Sequence, residues 1–372
     1  MRSGKINSQA GLSLIELMIA MVVGLILLAG VLSVYISSHQ NYGINTAIAQ
    51  VQENGRFTLD FLRNDTRMTS FMGCTTTART NSLLNPAGQI YNFLLPVYGY
   101  EYNGTDPATA TSGAPYVITS ENPASASLAS GSWTPVADGT VPVNAIPGSD
   151  VLMLFTAVSN PVYVTAPVTG PVIPVTSSTG FVAGQLAVIT DCLRSTVFEV
   201  GATTSTAPGT LTLGGGAPGP GNFQTSFNVG YDAGAQVFGA DAIVYYVGLG
   251  TDKSPALYRA DVLPGGALGT AQELVSGVEN MQVLYGVDPA GGASPSQYLT
   301  AAAVDASGNW GNVLSVQVAL LLRSDSGAMP LPAAPQTFNL LDTYVTVPAD
   351  TRLRRVFSST VYLRNAPLPT GG

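Results

Sequence analysis

A single carboxylate, Glu16, lies inside an otherwise uncharged, apolar run over residues 12–36. As a helix this run is about 37 Å long, enough to cross a bilayer. A charge at the centre of such a span costs about 2.5–3.5 kcal/mol and less near its end, so Glu16 needs a partner. Gly11 directly precedes the run. If the chain is cut between Gly11 and Leu12, the new amine lies one helical turn from Glu16 and can pair with it, in this chain or in a neighbour.

The residues in front of the apolar run form a short basic segment. They include Arg2 and Lys5 and no acid. Basic residues before an apolar span keep the N-terminus in the cytoplasm, so the remainder is predicted to be exported. An ordinary secretory signal has a shorter apolar core with small residues after it, whereas here the small residue comes first. The alternative is an ordinary signal anchor in which Glu16 is present by chance.

Residues suited to catalysis or metal binding are sparse. The one histidine, His39, lies just beyond the apolar run, where a surface helix residue is expected. Residues 305–311 place oxygen side chains at alternate positions, as in a calcium loop, but Val316 occupies the position of the expected acid. A turn between strands explains this segment better. The sequence therefore predicts no enzyme, no cofactor and no metal site.

Composition limits the class of protein further. The chain has 372 residues, with 41 Gly, 25 Pro and a net charge of −8. This composition favours β structure with many turns, and an acidic chain without basic runs is unsuited to nucleic acid. The two cysteines, Cys74 and Cys192, both fall on the exported side, where disulfides persist. We predict a disulfide between them; two unpaired buried thiols are the alternative.

Hydrophobic periodicity predicts one long helix from Leu12 to Met72, with room for a kink at its glycines. Residues 12–36 would cross the membrane, and residues 37–73 would form an amphipathic periplasmic half. An apolar stripe that includes Phe57 and Phe61 would pack on the head. Gly55 is a weak point of this helix, and Gly73 would be its C-cap.

Residues 74–372 are predicted to form a β-rich globular head, which gives an α+β fold. Strand patterns occur at 150–155, 185–190, 196–200, 242–247, 256–259 and 313–323. Residues 201–222 are expected to be a long flexible loop, and 273–288 a short helix or turn followed by a strand. Arg352, Arg354 and Arg355 form a basic spot, which a solvated strand entrance explains as well as a binding patch does.

The run from Gly11 to Leu17 resembles the class III leader of type IV pilins and of type II secretion pseudopilins. The resemblance implies that a prepilin peptidase cuts after Gly11 and that Leu12 is then N-methylated. Leu12 departs from the Phe that is commonest there. The resemblance also implies that Glu16 pairs with the N-terminus of a neighbouring subunit during filament assembly.

Further segments are similar to the PilW family of minor pilins: residues 52–57, 73–74, 190–192, 277–280, 285–288 and 363–365. The resemblance implies an inner-membrane protein with a periplasmic head that enters the extracellular pilus. It would prime assembly near the pilus tip with other minor pilins and the major pilin. Contact with a tip adhesin stays open. A type II secretion pseudopilin of the J type and a monomeric membrane-anchored binding module are the alternatives.

The first prediction concerns processing. A small residue at position 11 admits the peptidase, so Gly11→Val should leave the full-length precursor in the inner membrane. Immunoblotting of membrane fractions measures the length of the chain. Normal shortening of this variant would contradict the leader assignment.

Overall fold

The computed structural model describes residues 13–75, 79–85, 88–105, 116–118, 133–136, 142, 144–204, 207–215, 219–250, 252–263, 267–325, 327–329 and 331–366. These residues form a long N-terminal helix and a large, mainly antiparallel β-rich head, so the predicted α+β class is confirmed. The helices are α1 (Leu14–Met68) and α2 (Ala301–Ser307). The strands are β1 (Thr80–Ser82), β2 (Val97–Tyr102), β3 (Tyr116–Val117), β4 (Trp133–Thr134), β5 (Val151–Tyr163), β6 (Val172–Val175), β7 (Leu186–Thr190), β8 (Ser195–Thr204), β9 (Gly209–Leu213), β10 (Gln236–Leu249), β11 (Pro255–Asp261), β12 (Gln272–Ser276), β13 (Val278–Val287), β14 (Gln297–Leu299), β15 (Val313–Arg323), β16 (Gln336–Leu340), β17 (Thr343–Val347) and β18 (Arg354–Tyr362).

Helix α1 ends four residues before the predicted end at Met72. Thr69 is extended, and Ser70 has a φ of 59°. The amide of Ser70 donates to the carbonyl oxygen of Phe155 on β5 at 2.7 Å, so the chain leaves the helix to join the sheet. Gly73 is therefore not the C-cap of this helix.

The described residues of the head form three sheets. The largest has 11 strands, with the order β4-β2-β5-β10-β7-β8-β9-β6; β1 is added beside β8, and β11 and β12 beside β10. A second sheet has the order β14-β13-β15-β18, and a third has β16-β17-β3. Helix α1 lies across the second sheet, mainly against β18 and β15, and it also contacts β12.

Part of the large sheet closes into a small barrel. Strand β6 pairs with β9 on one side, and on its other side Val175 bridges to Val164, which directly follows β5. The ring β5-β10-β7-β8-β9-β6 therefore returns to the end of β5 through this bridge. The barrel encloses its own apolar core, which includes Ile173, Ile189, Phe198, Val200, Leu211 and Tyr231.

Two sequence predictions for the head are wrong in part. Within the expected loop 201–222, residues 201–204 and 209–213 are barrel strands, because β8 and β9 pair antiparallel from Val200 to Leu213. At 273–288 the expected initial helix or turn is strand β12, whereas the strand expected after it is present as β13, and Gly277 separates the two. Pairing of β9 with β6 and of β13 with β15 also holds these segments in the sheets, and local composition did not indicate it.

The helix crosses the second sheet closely at Gly55. A Cβ atom at this position would lie 2.6 Å from ring atoms of Phe357 on β18. Real Cβ atoms do not come so near a ring, so the aromatic side chain fits against the helix because residue 55 has none. Gly55 is thus a packing requirement, which corrects its interpretation as a weak point of the helix.

A second prediction follows from this contact. Gly55→Ala should lower the free energy of unfolding by about 1–3 kcal/mol through overpacking, despite the better helix propensity of Ala. Gly43→Ala is the matched control, because no atom lies within 4 Å of its Cβ position. That variant should be neutral or stabilising by up to about 1 kcal/mol. Denaturant unfolding of the full-length protein in detergent measures both, and equal effects would contradict a role for the Phe357 contact.

Candidate functional site: the N-terminal helix and its attachment

The first part of α1 projects from the head with its apolar side chains uncovered. All residues from 13 to 43 are exposed, and 14–43 form a rod of roughly 45 Å. By length and composition α1 is able to cross a membrane. The large exposed apolar side chains of this rod include Leu14, Ile15, Leu17, Met18, Ile19, Met21, Val22, Val23, Leu25, Ile26, Leu27, Leu28, Val31, Leu32, Val34 and Ile36. Such a surface is stable only in lipid or against other apolar helices.

Glu16 lies in the first turn of α1 and caps it. Its Oε2 atom accepts a hydrogen bond from the backbone amide of Ser13 at 3.2 Å. In return the Ser13 Oγ accepts from the amide of Glu16 at 3.3 Å, which completes a capping box. Sequence reasoning missed this role, although a Ser followed three residues later by a Glu is its signature. Gly11 and Leu12, the predicted processing site, lie outside the described residues.

The second part of α1 is docked on the head. Its buried residues lie on one face and are Ala47, Val51, Gly55, Thr58, Leu59, Leu62 and Thr66. Val51, Leu59 and Leu62 join the main hydrophobic core of the head. The predicted stripe was wrong at two positions, because Phe57 and Phe61 are 53% and 44% exposed. Small residues such as Gly55 and Thr58 take the buried places instead, because the sheet approaches the helix closely.

Polar contacts fix the end of the docked helix. The hydroxyl of Tyr245 on β10 donates to Asp65 Oδ2 at 2.5 Å, and Arg259 on β11 lies 3.4 Å from the same oxygen. Arg63 Nε donates to Ser359 Oγ on β18 at 2.8 Å. Directional bonds to three strands set the rotation and axial position of the helix, which apolar contacts alone would leave free to slide.

A disulfide joins Cys74 to Cys192, and the predicted pairing is present. Cys192 lies in the turn between β7 and β8, so the bond ties the segment after α1 to the barrel. Gly73 passes beside this turn with a φ of +78°, and a Cβ there would lie 2.7 Å from the Thr190 side chain. The need for glycine at position 73 therefore comes from this close approach. The barrel lies next to the C-terminal end of α1, the end away from the apolar rod.

The basic spot at 352–355 contains a buried ion network. Arg354 Nε donates to Glu279 Oε2 at 2.6 Å, and Arg354 Nη2 donates to Asp350 Oδ2 at 2.7 Å. Arg323 Nη1 lies 3.2 Å from Glu279 Oε1. Arg354, Arg323 and Glu279 have side chains only about 5% exposed. The description as a solvated strand entrance was wrong for Arg354, which pairs with acids from two other segments.

The structure also shows where the weak candidates for catalysis and metal binding lie. His39 is exposed on α1. Asp305 belongs to helix α2 rather than to a turn between strands, and its Oδ1 accepts from Tyr98 Oη and from Trp310 Nε1. The described residues contain no group of three or more His, Cys, Asp or Glu side chains placed to hold a metal ion.

An exposed apolar rod with a capped start, docked on a β-rich head, is the architecture of a pilin. In agreement, the family model for the prokaryotic N-terminal methylation motif matches residues 6–32. The model for type IV pilus-assembly protein W matches residues 244–365. These two matches support a PilW-like type IV pilin. Residues 33–243, which include the whole docked part of α1 and nearly all of the barrel, lie outside both matches. The comparisons with curated proteins and with solved structures gave no match.

A third prediction concerns the disulfide. The bond closes a loop between cysteines 118 positions apart, and in the chain-entropy model such a loop contributes roughly 4–5 kcal/mol at most. Cys192→Ser should therefore lower the free energy of unfolding and the abundance of the protein.

Thermal unfolding of the full-length protein with and without reductant measures this effect. The wild type in reductant is the control, and it should unfold like Cys192→Ser. If non-reducing and reducing peptide maps of protein from the periplasmic side both gave free thiols, the bond would not form in the cell.

Proposed function

We propose that this protein is a minor pilin that takes part in initiating assembly of a type IV pilus, at or near the tip, without catalysing a reaction. In this proposal a prepilin peptidase cuts after Gly11 in the inner membrane, with the N-terminus in the cytoplasm and the head in the periplasm. Leu12 becomes the methylated N-terminus. The subunit then joins other minor pilins and the major pilin through its apolar rod.

The main support is the combination of an uncovered apolar rod with one carboxylate in its first turn. Lipid covers the rod before assembly, and the rods of other subunits cover it afterwards. Glu16 can pair with the N-terminal amine of a neighbouring subunit, and in a low dielectric that attraction is strong and sets the axial register between helices. The carboxylate has two oxygens, so Oε2 can keep the bond to Ser13 while Oε1 accepts from the neighbour.

The place of the barrel supports a position near the tip. It lies beside the end of α1 that points away from the membrane span. A filament that grows outward from the membrane carries this end of each subunit toward its tip. An added module there occupies space where the neighbouring subunit on the tip side would stack, and a subunit at the tip avoids that conflict.

A type II secretion pseudopilin is the second candidate, because pseudopilins share the same type of leader and apolar N-terminal helix. A monomeric anchored binding module is the third, and it would need neither cleavage at Gly11 nor the charge of Glu16. The presence of the protein in sheared surface pili separates the first candidate from both others.

The fourth prediction tests Glu16 with three variants. Removing one partner of a buried charge pair typically costs about 3–5 kcal/mol. Glu16→Val should still be inserted in the membrane and cut after Gly11, but it should enter pili poorly and reduce piliation. Glu16→Gln retains an oxygen able to accept from Ser13 and removes only the charge, so it should fail in the same way.

Ser13→Ala is the matched control, because it removes half of the capping box and keeps the carboxylate. It should enter pili nearly as well as the wild type. The measurement is the amount of subunit in sheared pili relative to membranes, together with a count of surface pili. Normal incorporation of Glu16→Gln, with loss only in Glu16→Val and Ser13→Ala, would assign Glu16 to helix capping and remove it from the assembly mechanism.

A further inference from the structure

A cleft of about 340 Å³ lies where the barrel meets the rest of the large sheet. Its walls come from the short helical turn around Tyr91, from the segment that leads into β7, and from β10 and β11. Clefts of this size at the junction of two structural units are typical binding sites for small groups. The residues that matter for its chemistry are Tyr91, Phe93, Val182, Asp241, Asp261 and Leu263.

The cleft has an apolar floor and an apolar rim. Phe93 is only 2% exposed and closes the inner side, whereas Val182 and Leu263 are 53% and 49% exposed. Exposed aliphatic side chains at the mouth of a cleft give up contact with water when a hydrocarbon chain passes between them. These walls therefore favour a ligand with an aliphatic stem.

The charge in the cleft is negative. Asp241 on β10 and Asp261 at the end of β11 both line it. Burial, together with the nearby Asp261 carboxylate, raises the pKa of Asp241 to about 7. The nearby cation is Arg259, whose Nη2 lies 2.9 Å from Asp261 Oδ1 and whose Nε lies 3.4 Å from Asp65. The Arg259 guanidinium is thus already paired with two other carboxylates. A second cation in the cleft would lower the free-energy cost of ionising Asp241.

We propose that this cleft binds a primary ammonium group at the end of an aliphatic stem, the chemistry of a lysine side chain presented by a partner protein. The ammonium would face Asp241, and the stem would lie between Val182 and Leu263. The aromatic ring of Tyr91 adds a surface that attracts cations. A metal ion fits this cleft less well, because two carboxylates and apolar walls leave most of its coordination positions without ligands. The proposal does not depend on incorporation of the protein into pili.

The test uses the purified full-length protein in detergent and two small probes. The first probe is Nα-acetyl-lysine methylamide, and the second is Nα-acetyl-norleucine methylamide, which has a similar stem and no charge. Saturation-transfer NMR should show saturable binding of the lysine probe and at least tenfold weaker binding of the norleucine probe. Equal binding of the two probes would overturn the proposal.

Two variants locate the binding. Asp241→Asn keeps the shape of the side chain and should weaken binding of the lysine probe at least tenfold. Asp232→Asn, which removes an exposed carboxylate elsewhere on the barrel, should leave it unchanged. Should Asp241→Asn fail to fold by thermal unfolding, Val182→Trp narrows the mouth without changing charge and should also abolish binding. Wild-type affinity in the folded Asp241 variant or in Val182→Trp would overturn the proposal, as would equal weakening in the Asp241 and Asp232 variants.

Discussion

The structure depends on one continuous helix that must be stable in two different surroundings. Residues 14–43 of α1 are apolar and uncovered, so they need lipid or other helices, whereas the following turns bury a narrow face against the second sheet. The two parts are a single continuous helix of 55 residues. The contacts that dock the helix on the head therefore set the orientation of the head relative to the apolar rod. Contacts that hold this docking, above all Gly55 against Phe357 and Asp65 with Tyr245, determine how the head is presented.

Glu16 has a local role in the structure, and the proposed function gives the same side chain an intermolecular one. Within the chain it completes a capping box with Ser13, which satisfies an amide at the start of the helix. A capping interaction of this kind is worth about 0.5–2 kcal/mol. Pairing with a charged amine in a lipid-like surrounding involves a larger energy. Holding the carboxylate near the helix start also reduces the entropy that is lost when a neighbour binds it.

The barrel gives this head a second unit beyond the docked helix. It has its own core, and it is connected to the rest through the shared strands β5 and β10 and through the Cys74–Cys192 disulfide. The disulfide joins it directly to the segment that follows α1. A load on the barrel is therefore passed to the anchoring helix through a covalent bond as well as through the sheet. The cleft with Asp241 lies at this same junction, where small shifts between the two units would change its width.

Features that depend on local pattern follow from the amino-acid sequence alone. These are the apolar span with its single carboxylate, the long helix, the β-rich head and the presence of two cysteines after the apolar span. Tertiary structure decided which face of α1 is buried, because close approach of the sheet selects Gly55 over Phe57 and Phe61. It also turned the Gly-rich segment after Val200 into barrel strands and buried Arg354 in an ion network. Each of these outcomes includes at least one partner far away in the sequence, namely Phe357 for Gly55, β6 for β9 and Glu279 for Arg354, and local pattern does not specify these contacts.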